Sequence, residues 1–181
     1  MTAAVFWFLG LPGSGKSTLA QATLEYVSDR SKEGATPRRW DLLDGDVIRE
    51  FLGEEVGYSI ADRRRSVRTV GLVAAHLARN DVGVVVANIS PFEDLRGFLR
   101  ERLEGYFEIY CRCPLEACIQ RDPKGHYRRQ LENGPKDFVG LDIPFDEPQH
   151  ADLVLDTSRL DIPASVRAVR ESVDKHLHRA R

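Results

Sequence analysis

The sequence predicts an α/β fold in which a mainly parallel sheet carries helices on both faces. Apolar runs of strand length alternate with helical patterns along most of the 181 residues, an order typical of parallel sheets. The run 82–87 is almost continuous in hydrophobic residues, which indicates a strand buried on both faces. A glycine-rich loop separates the first predicted strand, 5–9, from the first predicted helix, 16–29.

The other elements follow in the same alternating order. A second strand ends near Leu43, and a long helix begins at Ser59, where Asp62 three residues later forms an approximate capping box. A proline near the first turn opens one later helix, and Asp161 is a candidate cap for the last one. The later helices are predicted at 59–81, 91–103, 114–122 and 161–180, and the later strands at 82–90, 106–113 and 151–157.

Segment 122–149 breaks this alternation. It is rich in glycine, proline and charge, and it shows no hydrophobic period. Inside a compact domain, a connection of this length is usually a lid or a binding loop. No linker divides the chain, so we expect a single domain over residues 1–181 with a lid at about 122–149.

Composition disfavours several classes of function. The net charge is −2, so no overall field attracts nucleic acid or an anionic membrane. The longest apolar run is far shorter than the ~20 residues of a membrane span. No basic region precedes the apolar N-terminus, so we expect no signal peptide and a cytoplasmic location. The cysteines, Cys111, Cys113 and Cys118, have neither a disulfide framework nor zinc spacing, and we expect buried free thiols.

The glycine loop is a complete phosphate-binding pattern, Gly10-x-x-x-x-Gly15-Lys16-Ser17. Several backbone N–H groups must meet phosphate oxygens at once, which requires a tightly curled backbone without Cβ atoms in the way. Lys16 is predicted to contact the β and γ phosphates, and Ser17 to bind Mg²⁺. The chain is therefore predicted to bind ATP or GTP together with Mg²⁺. The predicted nucleotide-binding residues of this loop are Gly10, Leu11, Pro12, Gly13, Ser14, Gly15, Lys16, Ser17 and Thr18.

An acidic pair, Asp44 and Asp46, stands at the end of the second predicted strand, where open α/β sheets bind ligands. Two carboxylates there can hold Mg²⁺ and can accept a proton from an attacking hydroxyl. Arg49 lies one helical turn after Asp46, and a base beside a cation suits an anionic substrate with a hydroxyl. An Asp-Gly turn with a capping aspartate is the alternative explanation of the same residues.

Helical geometry divides a basic cluster at 63–68. Arg63 shares one stripe with Val67, Val70 and Ala74, at spacings of i+4, i+7 and i+11. Because the other members are apolar, Arg63 lies at the inward end of a buried face, where a cation needs an anionic partner. We therefore expect Arg63 to bind substrate and the next two arginines to be solvated.

Six segments, in this order, resemble adenylylsulfate kinases, which phosphorylate the ribose 3′-hydroxyl of adenylyl sulfate to make the activated sulfate donor. They read GLPGSGKST, LDGDVIR, VGYSIADRRRSVR, NISP, RDPKGHYRR and DFVGLDIPFDEP, and the resemblance covers roughly residues 4–160. The later segments are far more specific than the phosphate loop. The resemblance implies a three-layer P-loop nucleoside triphosphate hydrolase/kinase fold, ATP and Mg²⁺ as cofactors, and a small-molecule nucleotide as substrate. The family often dimerises, so a homodimer is a candidate assembly.

The resemblance also implies roles for the charged residues. Asp46 matches the base or orienting group for the 3′-hydroxyl, and Asp44 matches the second acid, near Mg²⁺ and the substrate. Arg49 and Arg63 match the arginines that hold the phosphosulfate. The implied catalytic residues are Lys16, Asp44 and Asp46, the implied metal ligands Ser17 and Asp44, and the implied lid cations Lys124 and Arg121.

The acceptor pocket is implied in the same way. Tyr58 and Phe138 would stack on the two faces of the substrate base, a contact worth ~1–3 kcal/mol per base. Ile89 and Ser90 match a substrate-lining element, in which Ser90 contributes a backbone or hydroxyl contact or, less well supported, a phosphorylated intermediate.

Three departures from the family pattern fall on the acceptor side. Ser66 stands where the family has an asparagine that contacts the substrate nucleotide, Asn88 stands where phenylalanine is frequent, and the arginine usual soon after Pro91 is missing. They leave open a 3′-kinase for another nucleotide, such as a cytidine diphosphate derivative. Another small-metabolite kinase of this fold is a second alternative, which the aromatic pair disfavours. A regulatory nucleotide-binding module without turnover is a third alternative, which the complete phosphate loop and acidic pair disfavour.

Overall fold

A computed structural model of the protein describes residues 2–33, 37, 39–53, 56–134 and 136–179. Its strands are β1 (Val5–Leu9), β2 (Arg39–Asp44), β3 (Val82–Ala87), β4 (Tyr106–Arg112) and β5 (Leu153–Asp156). Its helices are α1 (Lys16–Lys32), α2 (Gly45–Leu52), α3 (Ile60–Arg79), α4 (Glu93–Arg102), α5 (Leu115–Arg121), α6 (His126–Asn133) and α7 (Ile162–Arg179).

The strands form one sheet with the order β2-β3-β1-β4-β5, and every neighbouring pair is parallel. Side chains alternate along β1, so that Trp7 belongs to one hydrophobic cluster while Phe6 and Phe8 belong to the other. Helices α3 and α4 cover the first face, and α1 and α7 cover the second. The three-layer architecture expected from the sequence is confirmed.

The helix caps show why several elements begin where the sequence predicts. The hydroxyl of Ser59 accepts a hydrogen bond from the backbone N–H of Asp62 at 3.2 Å and caps α3. The carboxylate of Asp161 caps α7, because its Oδ1 accepts a hydrogen bond from the backbone N–H of Ala164 at 2.7 Å. Pro91 lies near the first turn of α4, as expected, but the helix starts at Glu93 after the N-cap Phe92, two residues later than the predicted start at 91. The predicted end of the last helix, at residue 180, lies outside the described residues.

The predicted lid, segment 122–149, contains helix α6, which the sequence did not indicate. Only Tyr127 of this helix is buried, so it has no hydrophobic period that could reveal it. Its N-terminus is stabilised by Asp122, whose carboxylate accepts hydrogen bonds from the N–H groups of Tyr127 and Arg128. The single-domain division and the function of this segment as a lid remain predictions; we call it the candidate lid.

The three cysteines are buried and free, as expected. Among the described residues, no helix combines the length and the hydrophobicity that crossing a membrane would require.

Candidate active site

The phosphate-binding loop curls tightly between β1 and α1 because its glycines adopt positive φ angles. The values are +143°, +77° and +92° at Gly10, Gly13 and Gly15. A Cβ atom on Gly10 would lie 2.5 Å from the carbonyl oxygen of Cys111, so a larger residue does not fit. Thr157 Oγ1 donates to the carbonyl oxygen of Ser14 at 2.9 Å and ties the loop to the end of β5. No side chain caps α1, so its first N–H groups are open to an anion.

Lys16 is enclosed by this loop and is only 9% exposed. Its Nζ donates to the carbonyl oxygen of Leu11 at 2.7 Å. Burial lowers the pKa of the Lys16 ammonium, and nearby groups, including the acidic pair, oppose that effect only in part. A buried cation in this state is stabilised by an anion such as a phosphate group. Ser17 and Thr18 are exposed on the first turn of α1 beside it.

Asp44 ends β2 and divides its two carboxylate oxygens between two partners. Oδ1 accepts from the backbone N–H of Asp46 at 2.8 Å and caps α2, so the capping interpretation is confirmed. Oδ2 lies 3.4 Å from Ser17 Oγ, which donates to it. The same residue therefore fixes the start of a helix and presents an oxygen to the phosphate loop.

Asp46 pairs with the candidate lid. Lys124 Nζ lies 2.7 Å from Asp46 Oδ2 and donates to it. Burial works to raise the pKa of Asp46, but the hydrogen bond and charge of Lys124 outweigh it, so the pKa is lowered. The same hydrogen bond raises the pKa of Lys124. Asp46 is thus ionised and able to accept a hydrogen bond from a hydroxyl.

Arg49 and Arg63 converge on the ring of Tyr58, with guanidinium carbons 4.7 and 5.5 Å from its centroid. Each donates to a backbone carbonyl at 2.5 Å, Arg49 to Gly57 and Arg63 to Asp137. Within the described part of the chain neither forms an ion pair, and Nε of Arg63 is buried without a partner. Burial, helped by the charge of Arg49, lowers the pKa of Arg63 to about 10. Two close cations that form no ion pair in the described structure suit an anion, and their role in binding one remains a prediction.

The two aromatic residues proposed to stack on the base belong to separate elements that Arg63 connects. Tyr58 is 58% exposed and precedes α3, while Phe138 is partly buried in the candidate lid. Phe138 packs edge-on against Tyr127, with ring centroids 5.0 Å apart. Arg63 therefore contacts both elements, through the ring of Tyr58 and through the carbonyl next to Phe138. Base stacking itself remains a prediction.

Ser90 is fully buried with φ of +46°, and its polar atoms already have partners in the protein. Its hydroxyl accepts from Trp7 Nε1 at 2.9 Å and donates to Asn88 Oδ1 at 3.0 Å, and its carbonyl accepts from Arg96. These bonds suit Ser90 to positioning the loop better than to carrying a phosphoryl group. Its neighbour Ile89 packs against the core.

Two other predicted residues occupy unexpected surroundings. Ser66 is buried on α3, and its hydroxyl has no partner in the described structure. Arg121 donates to the carbonyl of Thr157 at 2.6 Å and to Cys113 Sγ at 3.5 Å, so it braces the ends of β4 and β5. Its contact with phosphates remains a prediction.

Tyr127, two residues after the DPKG stretch that starts at Asp122, has a role that the sequence did not indicate. The side chain is 1% exposed, and its hydroxyl donates to the carbonyl oxygen of Pro12 at 3.1 Å. The candidate lid is therefore hydrogen-bonded directly to the phosphate loop. A buried tyrosine in an otherwise polar segment was the available signal.

A parallel α/β sheet with this phosphate loop, an enclosed lysine and an acidic pair at the adjoining strand end defines a P-loop kinase. The family model for adenylylsulphate kinase matches residues 2–156. The chain belongs to the adenylylsulphate kinase family.

Individual relatives agree with this assignment. The adenylyl-sulfate kinase of Geotalea uraniireducens (strain Rf4) is 41% identical over 173 residues, covering 94% of this chain and 80% of the relative. The APS kinase CysC of Mycobacterium tuberculosis, solved in complex with AMPPNP and APS, superposes with a TM-score of 0.84 at 32% identity, covering 96% of this chain and 98% of that one. A hexameric APS kinase from Thiobacillus denitrificans has a TM-score of 0.68 at 26% identity, covering 96% of this chain and 29% of that one.

The predicted fold and family are thus confirmed, and the protein is a kinase. The alternative acceptors that the sequence left open are not favoured by these relatives. The individual site residues remain predictions whose geometry is now defined.

Proposed function

We propose that the protein is an adenylyl-sulfate kinase, which transfers the γ-phosphoryl group of ATP to the 3′-hydroxyl of adenylyl sulfate. The proposal depends on the position of the acidic pair. Asp44 Oδ2 lies 3.4 Å from Ser17 Oγ of the phosphate loop. Asp46 lies on α2 together with Arg49. The loop suits the phosphates of the donor, and the two unpaired arginines suit the phosphosulfate of the acceptor. The names of the relatives support adenylyl sulfate as that acceptor.

In the proposed mechanism, Asp46 orients the 3′-hydroxyl and takes its proton as the oxygen bonds to the γ-phosphorus. The bond from that phosphorus to the bridging β–γ oxygen breaks, and ADP leaves. Lys124 occupies only Oδ2 of Asp46, and on releasing it Lys124 could pair with the phosphates. Lys16 and the loop N–H groups stabilise the charge on the transferring phosphoryl group.

Mg²⁺ fits the oxygen atoms present beside the loop. The Ser17 hydroxyl and the Asp44 carboxylate are hard ligands of the kind Mg²⁺ takes, and both face the phosphate site. These two residues would hold it. When bound, the ion would neutralise charge on the β and γ phosphates.

The acceptor would lie between α2, α3 and the candidate lid. Arg49 and Arg63 would hold its phosphosulfate, Tyr58 and Phe138 its base, and the buried hydroxyl of Ser66 a polar group of the nucleotide. Closure of the candidate lid would exclude water and so prevent hydrolysis of ATP.

ADP release with an acceptor panel tests the proposal. The panel contains adenylyl sulfate, AMP, cytidine diphosphate derivatives and simple sugars, each at low micromolar concentration with MgATP. We expect turnover with adenylyl sulfate and a product that chromatography and mass spectrometry identify as the 3′-phosphorylated nucleotide. Turnover with another nucleotide and none with adenylyl sulfate would support the kinase activity but show that the acceptor is that other nucleotide.

A matched pair of lysine variants controls for contaminating kinases. Lys16→Met should abolish ADP release, because the enclosed ammonium is lost. Lys175→Met, an exposed change on α7, should leave the rate unchanged. Equal activity in both variants would assign the observed turnover to another protein.

Assembly and location complete the proposal. Self-association, with a homodimer as the simplest form, is proposed from the family and is consistent with the hexameric relative; nucleic acid and membranes are not proposed partners. The cytoplasmic location expected from the sequence belongs to the proposal as well.

A further inference from the structure

Asn88, the first residue after β3, has one half of its side-chain amide bound and the other half available. Its Oδ1 accepts two hydrogen bonds from Ser90, one from the backbone N–H and one from Oγ, both at 3.0 Å. Its Nδ2 donates to no acceptor in the described part of the chain. The residue is 9% exposed. An oriented donor in such an enclosed position is a candidate ligand contact.

The orientation of this amide is fixed by chemistry. The N–H of Ser90 can only donate, so the atom that it contacts must be the amide oxygen. Trp7 Nε1 also can only donate, and because it binds Ser90 Oγ, that hydroxyl directs its own proton to Asn88 Oδ1. A buried relay from Trp7 through Ser90 therefore turns Nδ2 away from the core.

Ser90 maintains the relay in a backbone conformation that non-glycine residues rarely adopt. Its φ is +46°, and Arg96 Nη1 donates to its carbonyl oxygen at 2.7 Å. Strained residues of this kind are concentrated at ligand sites, where the surrounding contacts hold them. Here those contacts set the position of Asn88.

Nδ2 lies against the glycine of the acidic pair. A Cβ atom on Gly45 would lie 2.4 Å from Asn88 Nδ2. In the sheet register, Ala87 pairs with Asp44, so Asn88 and Gly45 are the next residues beyond the strand ends. The N–H of Asn88 also donates to the carbonyl of Phe8 at 3.0 Å, close to the start of the phosphate loop. The free donor thus faces the place where phosphoryl donor and acceptor would meet.

We propose that Asn88 binds the acceptor: its Nδ2 donates a hydrogen bond to an oxygen of the ribose whose hydroxyl Asp46 orients. The inference rests on the proposed function, which puts that ribose beside the acidic pair. A neutral amide suits this position, because a cation there would pair with Asp44 or Asp46 and a carboxylate would repel them. An uncharged sugar oxygen is the matching partner.

Two substitutions of Asn88 test the contact. Asn88→Asp keeps the size of the side chain and an acceptor for Ser90 but replaces the donor, and Asn88→Ala removes both. With adenylyl sulfate as acceptor, we expect KM for the acceptor to rise by about tenfold or more in both variants, the scale of one lost hydrogen bond. KM for ATP should stay within about twofold in Asn88→Ala, which adds no charge beside the acidic pair.

The matched control is Asn80→Asp, the same chemical change at the other end of β3. Asn80 Nδ2 donates to the carbonyl of His76 at 2.7 Å on the surface of α3, and both KM values should be unchanged there. An unchanged acceptor KM in the two Asn88 variants would overturn the inference, as would parallel rises in both KM values or failure of both variants to fold. If the wild type does not phosphorylate adenylyl sulfate, the proposed function fails and the inference fails with it. An active wild type with unaffected variants overturns the inference alone.

Discussion

Lys124 of the candidate lid places its Nζ 2.7 Å from Oδ2 of Asp46, the carboxylate proposed to orient the reacting hydroxyl. The two side chains are 56% and 68% exposed, so their ion pair adds little to folding stability. An exposed pair of this kind can exchange partners readily. In the proposed mechanism Lys124 moves to phosphate and frees Asp46 for the hydroxyl, which would couple the position of the candidate lid to the state of the proposed base.

Asp46→Asn tests the role of this carboxylate. An amide cannot take the proton, so we expect kcat to fall by ~100-fold or more, the scale of general-base catalysis. Asp41→Asn, at an exposed carboxylate on the neighbouring strand β2, should retain the wild-type rate. Steady-state ADP release measures both, and a kcat within about threefold of the wild type for Asp46→Asn would exclude Asp46 as the base.

Lys124→Met should move the acid limb of the pH profile of kcat/KM. Lys124 holds the pKa of Asp46 below its usual range, and without it the effect of burial, which raises that pKa, is left less opposed. Asp46 must be ionised to act, so activity should fall off at a higher pH in the variant than in the wild type. The measurement is kcat/KM for the acceptor across the acid range.

Lys136→Met is the control for that profile, because Lys136 is an exposed cation elsewhere in the candidate lid. Its acid limb should coincide with that of the wild type. If the acid limb of Lys124→Met is unmoved, or moves to lower pH, Lys124 does not lower the pKa of Asp46 in the active enzyme.

Arg63→Met should weaken acceptor binding without lowering the free energy of unfolding. Burial and the charge of Arg49 lower the pKa of Arg63 to about 10, so below that pH the folded state carries a disfavoured charge. Removing the charge should leave the free energy of unfolding level or raise it by up to about 1 kcal/mol, while KM for the acceptor rises at least tenfold. In the wild type, the free energy of unfolding should rise as the pH rises through about 10, because Arg63 then loses its disfavoured charge. The variant should show no such rise in stability.

Arg65→Met serves as the comparison, since that side chain is 63% exposed on the same helix. It should change neither stability nor acceptor KM appreciably. Urea unfolding and steady-state kinetics measure both quantities. A loss of several kcal/mol in Arg63→Met would show that Arg63 stabilises the fold, and an unchanged acceptor KM would remove it from the site.

Gly10→Ala should destabilise the protein by more than about 2 kcal/mol and abolish ATP binding. The new Cβ would lie 2.5 Å from the carbonyl oxygen of Cys111, on a backbone whose φ is +143°. Gly97→Ala offers the opposite case, because it lies within α4 with open space around it, and should stabilise by about 0.5–1 kcal/mol. Urea unfolding compares them, and equal effects of the two changes would contradict the steric argument.

Local sequence patterns predict much of the fold and part of the candidate active site. The cap at Ser59 and the burial of Arg63 follow from spacing within one helix, and the structure confirms both. For Asp44, the sequence left the helix cap and the ligand role as alternatives. It does not show that the two oxygens of this carboxylate face different partners, Asp46 N–H and Ser17 Oγ. Helix α6 was missed because tertiary contacts of Tyr127 stabilise it in place of a hydrophobic face.

The sequence by itself determined the parallel sheet, the phosphate loop and the family, because these depend on residue order and on the conformational limits of glycine. The tertiary structure alone decided which side chains meet: Lys124 with Asp46, Tyr127 with Pro12, and the amide of Asn88 with Gly45. These partners are far apart in the chain, and their contacts depend on strand register and on packing between layers. Neither is encoded in any short segment, so the free donor of Asn88 became visible only in the folded protein.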